Sequence, residues 1–152
     1  MKPGAENSNN LTSTAAFYVC QEDTDMSKVA VIDDSSVVRI IVETSLRRAG
    51  VACTGYQDGV EALRAFKKKK EQNELPDLIL LDISLPKLDG FDLLRLLKTR
   101  PQFDHTVIVM LSAHDNVLDR IKSRLAGARG YITKPFKTQE LLSTVQSLLG
   151  LP

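Results

Sequence analysis

"LLDISLPKLDGFDLL", residues 80–94, decides the fold. Its first two residues complete an apolar run, "LILL" at 78–81, which is too short for a helix and reads as a strand buried on both faces. That run ends on a carboxylate, Asp82. The loop "PKLDG" then leads through Asp89, a residue suited to cap a helix, into the apolar-periodic "FDLL". A buried strand that ends on a charge and turns into a helix is one βα unit.

Working outward, the chain repeats this unit. Strand-like runs occur at "KVAVI" (28–32), "VACTG" (51–55), "VIVML" (107–111) and "GYI" (130–132), each bounded by turn residues. Between them the apolar residues take helical spacing. Val38, Ile41, Val42, Ser45 and Ala49 form one stripe, and Leu141, Val145, Leu148 and Leu149 another. A segment from about Asn116 to Leu125 places Val117, Leu118, Ile121 and Leu125 on one side. Start and stop signals agree. Ser35 can cap the first helix and Gly50 follows its end; Asp58 with Glu61 makes a capping-box-like start for the second. Pro101 ends the third, and Thr138 precedes the fifth. Five such units predict an α/β fold: an open five-stranded parallel sheet, doubly wound, with helices on both faces.

The totals fit one domain with a tail. The chain has 152 residues, 43% of them hydrophobic, enough for a single core. No window approaches the ~20 apolar residues of a membrane span, and the N-terminus lacks the apolar core of a secretory signal. Cys20 and Cys53 form neither a disulfide framework nor a metal-binding spacing and read as buried thiols of a reducing, cytoplasmic setting. Residues 1–25 are rich in Asn, Ser and Thr, with only "AFYVC" apolar, and read as a disordered lead or linker before a domain spanning 26–152. Net charge is +1 but uneven: residues 1–27 hold one lysine against four acids, so the remainder carries +4. The run "KKKK" at 67–70 has no interleaved aromatic to stack on bases and reads as a solvated helix face, so no nucleic acid is expected as a partner.

In an open α/β sheet the functional crevice lies beyond the carboxyl ends of the strands. There the sequence places Asp33 and Asp34 after the first strand, Asp82 at the end of the third, Ser112 at the end of the fourth, and Lys134-Pro135 after the fifth. Taken singly, each is ordinary: helix-capping acids, a polar loop serine, a surface lysine. Together they put three acids, a hydroxyl and an ammonium on one edge. Neighbouring carboxylates repel, and a lysine and a divalent cation relieve that. Oxygen ligands of this kind suit Mg²⁺. An aspartate can also act as a nucleophile toward phosphorus, and phosphoryl transfer needs mainly positioning and charge neutralisation.

At these positions the motifs "VIDDS", "LILLDISLPKLDG", "VIVMLSA" and "GYITKPF" resemble the receiver domain of two-component response regulators, similar to chemotaxis regulators, over about residues 28–149. The resemblance implies a flavodoxin-like receiver fold and the following roles. Asp82 is the phosphoacceptor. Asp34 binds Mg²⁺ directly and Asp33 mostly through water, with Asp82 and the backbone carbonyl of Ser84 completing the metal's protein ligands. Ser112 is the switch hydroxyl, at a place where Thr is also common, and Lys134 pairs with a phosphoryl oxygen before a cis Pro135. Tyr131 is the aromatic that turns inward on activation, although a half-buried core tyrosine fits the residue equally. It further implies a histidine kinase or phosphotransfer protein as donor. The downstream partner would be a protein docked on the fourth helix, fifth strand and fifth helix, where Arg120, Lys122, Arg124 and Lys137 would meet acidic groups. No effector segment is expected after Pro152. The chain would then be a phosphorylation-controlled module and not a conventional enzyme. Two alternatives stay open: a Mg²⁺-dependent phosphatase with an aspartate nucleophile, whose D-x-D-x-[TV] pattern is replaced here by "DDSSV", and a scaffold that takes no phosphate. His105 and His114 have no partners at metal-ligand spacing and read as surface residues.

Overall fold

The computed structural model describes residues 26–152. The lead expected at 1–25, with Cys20, lies outside the described residues. Five parallel strands form one sheet: β1 (Lys28–Ile32), β2 (Ala52–Tyr56), β3 (Leu78–Asp82), β4 (Val107–Ser112) and β5 (Gly130–Thr133), in spatial order β2-β1-β3-β4-β5. Helices α1 (Ser36–Arg48), α2 (Gly59–Glu71), α3 (Gly90–Lys98), α4 (Val117–Leu125) and α5 (Thr138–Leu149) follow them in turn, with a short 3₁₀ turn at Pro101–Phe103. This is the predicted doubly wound architecture. Strands β2 to β5 each extend one residue beyond the apolar run that marks them, because the ladder continues through the first polar residue, as in the pairing of Ser112 with Thr133.

Successive strand residues face opposite sides, so one sheet serves two cores. Ala30, Ile32, Ile79, Leu81, Ile108 and Met110 face α2 and α3, meeting Phe66, Leu94 and Phe103. Val29, Val31, Leu78, Leu80, Val109 and Leu111 face α1 and α5, meeting Val42, Leu46, Leu141 and Val145. With both faces covered, every residue of β3 is buried. Burying each such aliphatic side chain is worth roughly 1.5–3 kcal/mol, which makes β3 the least replaceable strand.

Helix starts mostly follow the predicted caps. Ser35 Oγ accepts from the Val38 N–H, Asp58 Oδ1 from the Glu61 N–H, and Asp89 Oδ1 from the Phe91 N–H. α5 differs: Thr138 is its first residue, and the preceding Lys137 provides no side-chain cap. In α1 the buried stripe is Val42 and Leu46, with Val38 at its margin, whereas Ile41 lies exposed. The larger departure is α4. Val117, Leu118, Ile121 and Leu125, the stripe spaced to face a core, are 50–82% exposed. Ser123 is the buried residue of that helix.

Candidate functional site

The switch in strand order between β2-β1 and β3 opens the sheet edge where the acids lie. Asp33 follows β1 and is fully buried. Its N–H donates to the Tyr56 carbonyl, Oδ1 accepts from the Ser35 N–H at 2.9 Å, and its own carbonyl accepts from Arg39 Nη1 at 2.7 Å. Asp34, the next residue, is exposed. Asp82 closes β3, buried, with Oδ1 accepting from the Ser84 N–H at 3.0 Å. One carboxylate oxygen from each of Asp33, Asp34 and Asp82 lies within 4.8 Å of the other two.

The Lys134 ammonium sits between two of these acids, 2.6 Å from Asp33 Oδ2 and 3.3 Å from Asp82 Oδ2. The first contact is an ion pair out of line for a hydrogen bond, so Asp33 Oδ2 is a buried oxygen with no well-aligned donor. Burial, and then the charge of Asp33, raise the Asp82 carboxyl above its ordinary range against the pull of Lys134. Burial acts to lower the Lys134 ammonium, but its close contact with the Asp33 carboxylate and the charge of Asp82 outweigh it, and its pKa is raised. Three carboxylates against one ammonium leave an excess of negative charge at an edge open to solvent through Asp34. Hard oxygen donors with that excess fit a divalent cation such as Mg²⁺.

Glycine permits this crowding at one point. A Cβ on Gly90 would collide with the Asp82 carbonyl oxygen and come within 2.7 Å of Ile83 Cα. The Gly90 N–H donates to the Ile83 carbonyl at 3.0 Å, so the start of α3 presses directly on the backbone that aims Asp82.

Ser112 ends β4, buried, and its Oγ accepts from the His114 N–H at 3.0 Å. Tyr131, on β5, is half-buried; its hydroxyl donates to the His114 carbonyl at 2.8 Å and the Arg120 guanidinium lies 4.6 Å over its ring. Thus Asp33, Asp34, Asp82 and Lys134 converge, Ser112 stands at the neighbouring strand end, and Tyr131 is set farther off behind the β4–α4 loop. The Lys134–Pro135 peptide is cis, as the resemblance implies. The backbone of His114, joined to both Ser112 and Tyr131, is a connection that sequence reasoning missed. The imidazole gave no signal, because the link uses peptide groups that every residue carries. A second missed pair is Lys87 Nζ with Asp58 Oδ2 at 3.4 Å; Lys87 takes a left-handed conformation (φ 67°) in the loop after β3.

The profile of the response regulator receiver domain matches residues 29–146. Among individual proteins, the chain is 36% identical over 127 residues to protein PilG of Pseudomonas aeruginosa, covering 84% of this chain and 90% of that one. It is 38% identical over 122 residues to the alkaline phosphatase synthesis transcriptional regulatory protein PhoP of Bacillus subtilis, of which it covers 48%. Among solved structures, chemotaxis protein CheY4 of Vibrio cholerae superimposes with a TM-score of 0.72 at 32% identity, over 81% of this chain and 98% of that one. A putative response regulator from Chloroflexus aurantiacus gives 0.75 at 32% identity, over 83% and 99%. With its acids and lysine gathered at the strand ends of the same fold, the chain belongs to the response regulator receiver domain family, the phosphorylation-controlled signalling modules of two-component systems.

Proposed function

We propose that Asp82 is the phosphoacceptor of this receiver, taking the group from a histidine kinase or a phosphotransfer protein. The observation that carries this is the placement of the Asp82 carboxylate at the end of β3, 3.3 Å from the Lys134 ammonium and among two further acids. In the transfer, an Asp82 oxygen forms a bond to phosphorus as the phosphorus–nitrogen bond of a phosphohistidine breaks, and the electron pair stays on the imidazole nitrogen. Lys134 then exchanges part of its pairing with Asp82 for a phosphoryl oxygen. Asp34, Asp82 and the Ser84 backbone carbonyl would hold Mg²⁺ directly. Asp33 would act mostly through water, because its Oδ1 is tied to the Ser35 N–H and its Oδ2 to Lys134. The bound ion supplies charge neutralisation for the phosphoryl oxygens. Intact-mass analysis after incubation with acetyl phosphate and Mg²⁺ tests the assignment. One added phosphoryl group on the native chain and none on Asp82→Asn is the expected result, and equal labelling of both refutes it.

The switch runs through His114. When the Ser112 hydroxyl turns to a phosphoryl oxygen, the His114 N–H loses its acceptor and the loop into α4 is freed. The carbonyl that holds the Tyr131 hydroxyl shifts with it, and the ring can move inward. The output is a protein docked on α4, β5 and α5. There the exposed Val117, Leu118, Ile121 and Leu125 supply apolar contact, while Arg124 and Lys137 favour an acidic partner and set its on-rate. Residues 26–152 form the receiver and 1–25 a lead. No helix among the described residues is long and apolar enough to cross a membrane. We place the module in the cytoplasm, with proteins and not nucleic acid as its partners, because the lysine run has no interleaved aromatic to stack on bases.

A further inference from the structure

Away from the phosphoryl site, α2 and the 3₁₀ turn at Pro101–Phe103 enclose a groove of 540 Å³. Four cations, Arg64, Lys67, Lys70 and Arg100, line it, and no carboxylate does. Among the described residues, none of these four forms an ion pair. Its accessible apolar lining is Val60 and Leu63, with Phe66 and Phe103 buried beneath. A basic groove with an apolar floor fits a segment that is apolar and then acidic.

The chain itself carries such a segment. Residues 16–25, "AFYVCQEDTD", place five apolar residues, then Gln21, before a stretch holding three acids, Glu22, Asp23 and Asp25. It joins the domain beside this groove. Lys28, the first residue of β1, lines a smaller cavity together with Phe66 and Lys69, and Phe66 also borders the basic groove. The Lys28 N–H donates to Asp77 Oδ2 at 2.8 Å, which fixes the point of attachment next to the segment that follows α2. Ten residues reach up to ~33 Å, and thirteen residues of α2 span only ~20 Å, so the segment reaches the whole groove.

We infer that residues 16–25 dock in cis on the α2 groove, with the acids on the α2 lysines and "AFYVC" against Val60 and Leu63. This docking is independent of the roles given to Asp82 and Lys134. It gives the lysine run an occupant and covers a face remote from the α4–β5–α5 output surface.

Cys20 allows a direct test on the full chain. Cys53 is buried and its thiol is pushed up to about 12, so a nitroxide reagent at neutral pH attaches to Cys20 alone. Docking predicts loss of amide signal in residues 63–71 and 100–103, with α5, on the opposite face, unaffected. The loss should shrink in Lys67→Glu/Lys70→Glu and in 1 M salt, where the screening length falls to ~3 Å. Even, weak broadening over the whole surface would overturn the inference. So would broadening that vanishes when the labelled chain is diluted into excess unlabelled protein, because the docking would then be between copies. An unlabelled control guards against the label disturbing the apolar residues. Glu22→Lys/Asp23→Lys/Asp25→Lys should shift the amide resonances of residues 67–71, and unchanged resonances there would equally overturn the proposal.

Discussion

Two regions of this receiver invert the usual partition of side chains. At the strand ends, charge is buried: Asp33 is fully inside and Asp82 nearly so. On α4, grease is exposed, with Leu118 and Leu125 75% and 82% accessible. The two inversions differ in what surrounds them. The buried acids are held by specific donors: the Ser35 and Ser84 N–H groups and the Lys134 ammonium. On the exposed helix two cations lie over rings of neighbouring elements, Arg120 on Tyr131 and Lys122 on Phe91, with the Lys122 ammonium 4.1 Å from the ring. Places where local rules fail in this way are where function concentrates.

The sharpest way to break the first inversion is Asp82→Asn. Phosphoryl labelling should disappear entirely, read by intact mass, while the chain folds. The same variant should be more stable than the native chain in chelator at neutral pH. The Asp82 carboxyl is raised by burial and by Asp33, so the fold prefers its neutral form. The stability it contributes is therefore complete below the unfolded value of ~3.9 and is lost as pH rises through the raised value. An amide escapes that loss. Denaturant titrations should show the gain at pH 7 and show it shrinking toward pH 4; a gain that grows on acidification would contradict the account of burial.

The second comparison is between helices with the same apolar period. Leu141 of α5 is fully buried, so Leu141→Ala should cost about 2–5 kcal/mol. Leu118→Ser on α4 should stay within about 0.5 kcal/mol, as surface changes do. Partner affinity should behave oppositely, falling for Leu118→Ser. Comparable stability losses for the two would mean that α4 is covered in solution.

That pair also marks what the sequence could reveal. Strands, their order along the chain and most caps were legible because each depends on local chemistry: an apolar run, or an Asx or Ser before a periodic segment. The convergence of Asp33, Asp82 and Lys134 was legible once the parallel sheet was, since topology alone brings strand ends together. The direction in which α4 faces was not. Period 3.6 shows that Val117, Leu118, Ile121 and Leu125 share a side, but it does not say what covers that side. Small Ser123, the residue that faces inward, gives no hydrophobic signal. The His114 link was hidden for a related reason: peptide groups have no side-chain signature.

Between these extremes lies Ser112→Ala, which should leave folding and labelling of Asp82 in place while uncoupling them from docking. Hydrogen exchange with and without beryllofluoride reads this. In the native chain, protection should change over residues 112–140; in the variant, the response should be much reduced. A full response in the variant would mean that α4 is reached by a route other than the Ser112–His114 contact.

The smallest effect is expected where the two inversions meet. Arg120 bridges them: Nε pairs with Asp115 at 2.8 Å, Nη2 donates to Thr133 Oγ1 at 3.3 Å, and the guanidinium covers the Tyr131 ring. All of these contacts are solvent-facing, so the ion pair contributes little and the cation–π contact about 0.5–1 kcal/mol. Arg120→Ala should therefore cost no more than about 1 kcal/mol in denaturant titration. Its informative readout is the ring itself. Without the guanidinium, Tyr131 loses one of its two polar contacts and keeps its bond to the His114 carbonyl. Ring resonances of Tyr131 in the unphosphorylated variant should move part of the way toward those of the beryllofluoride form. If they stay at the native position, the His114 carbonyl alone sets the ring. The switch would then depend on Ser112 and its loop, with α4 following.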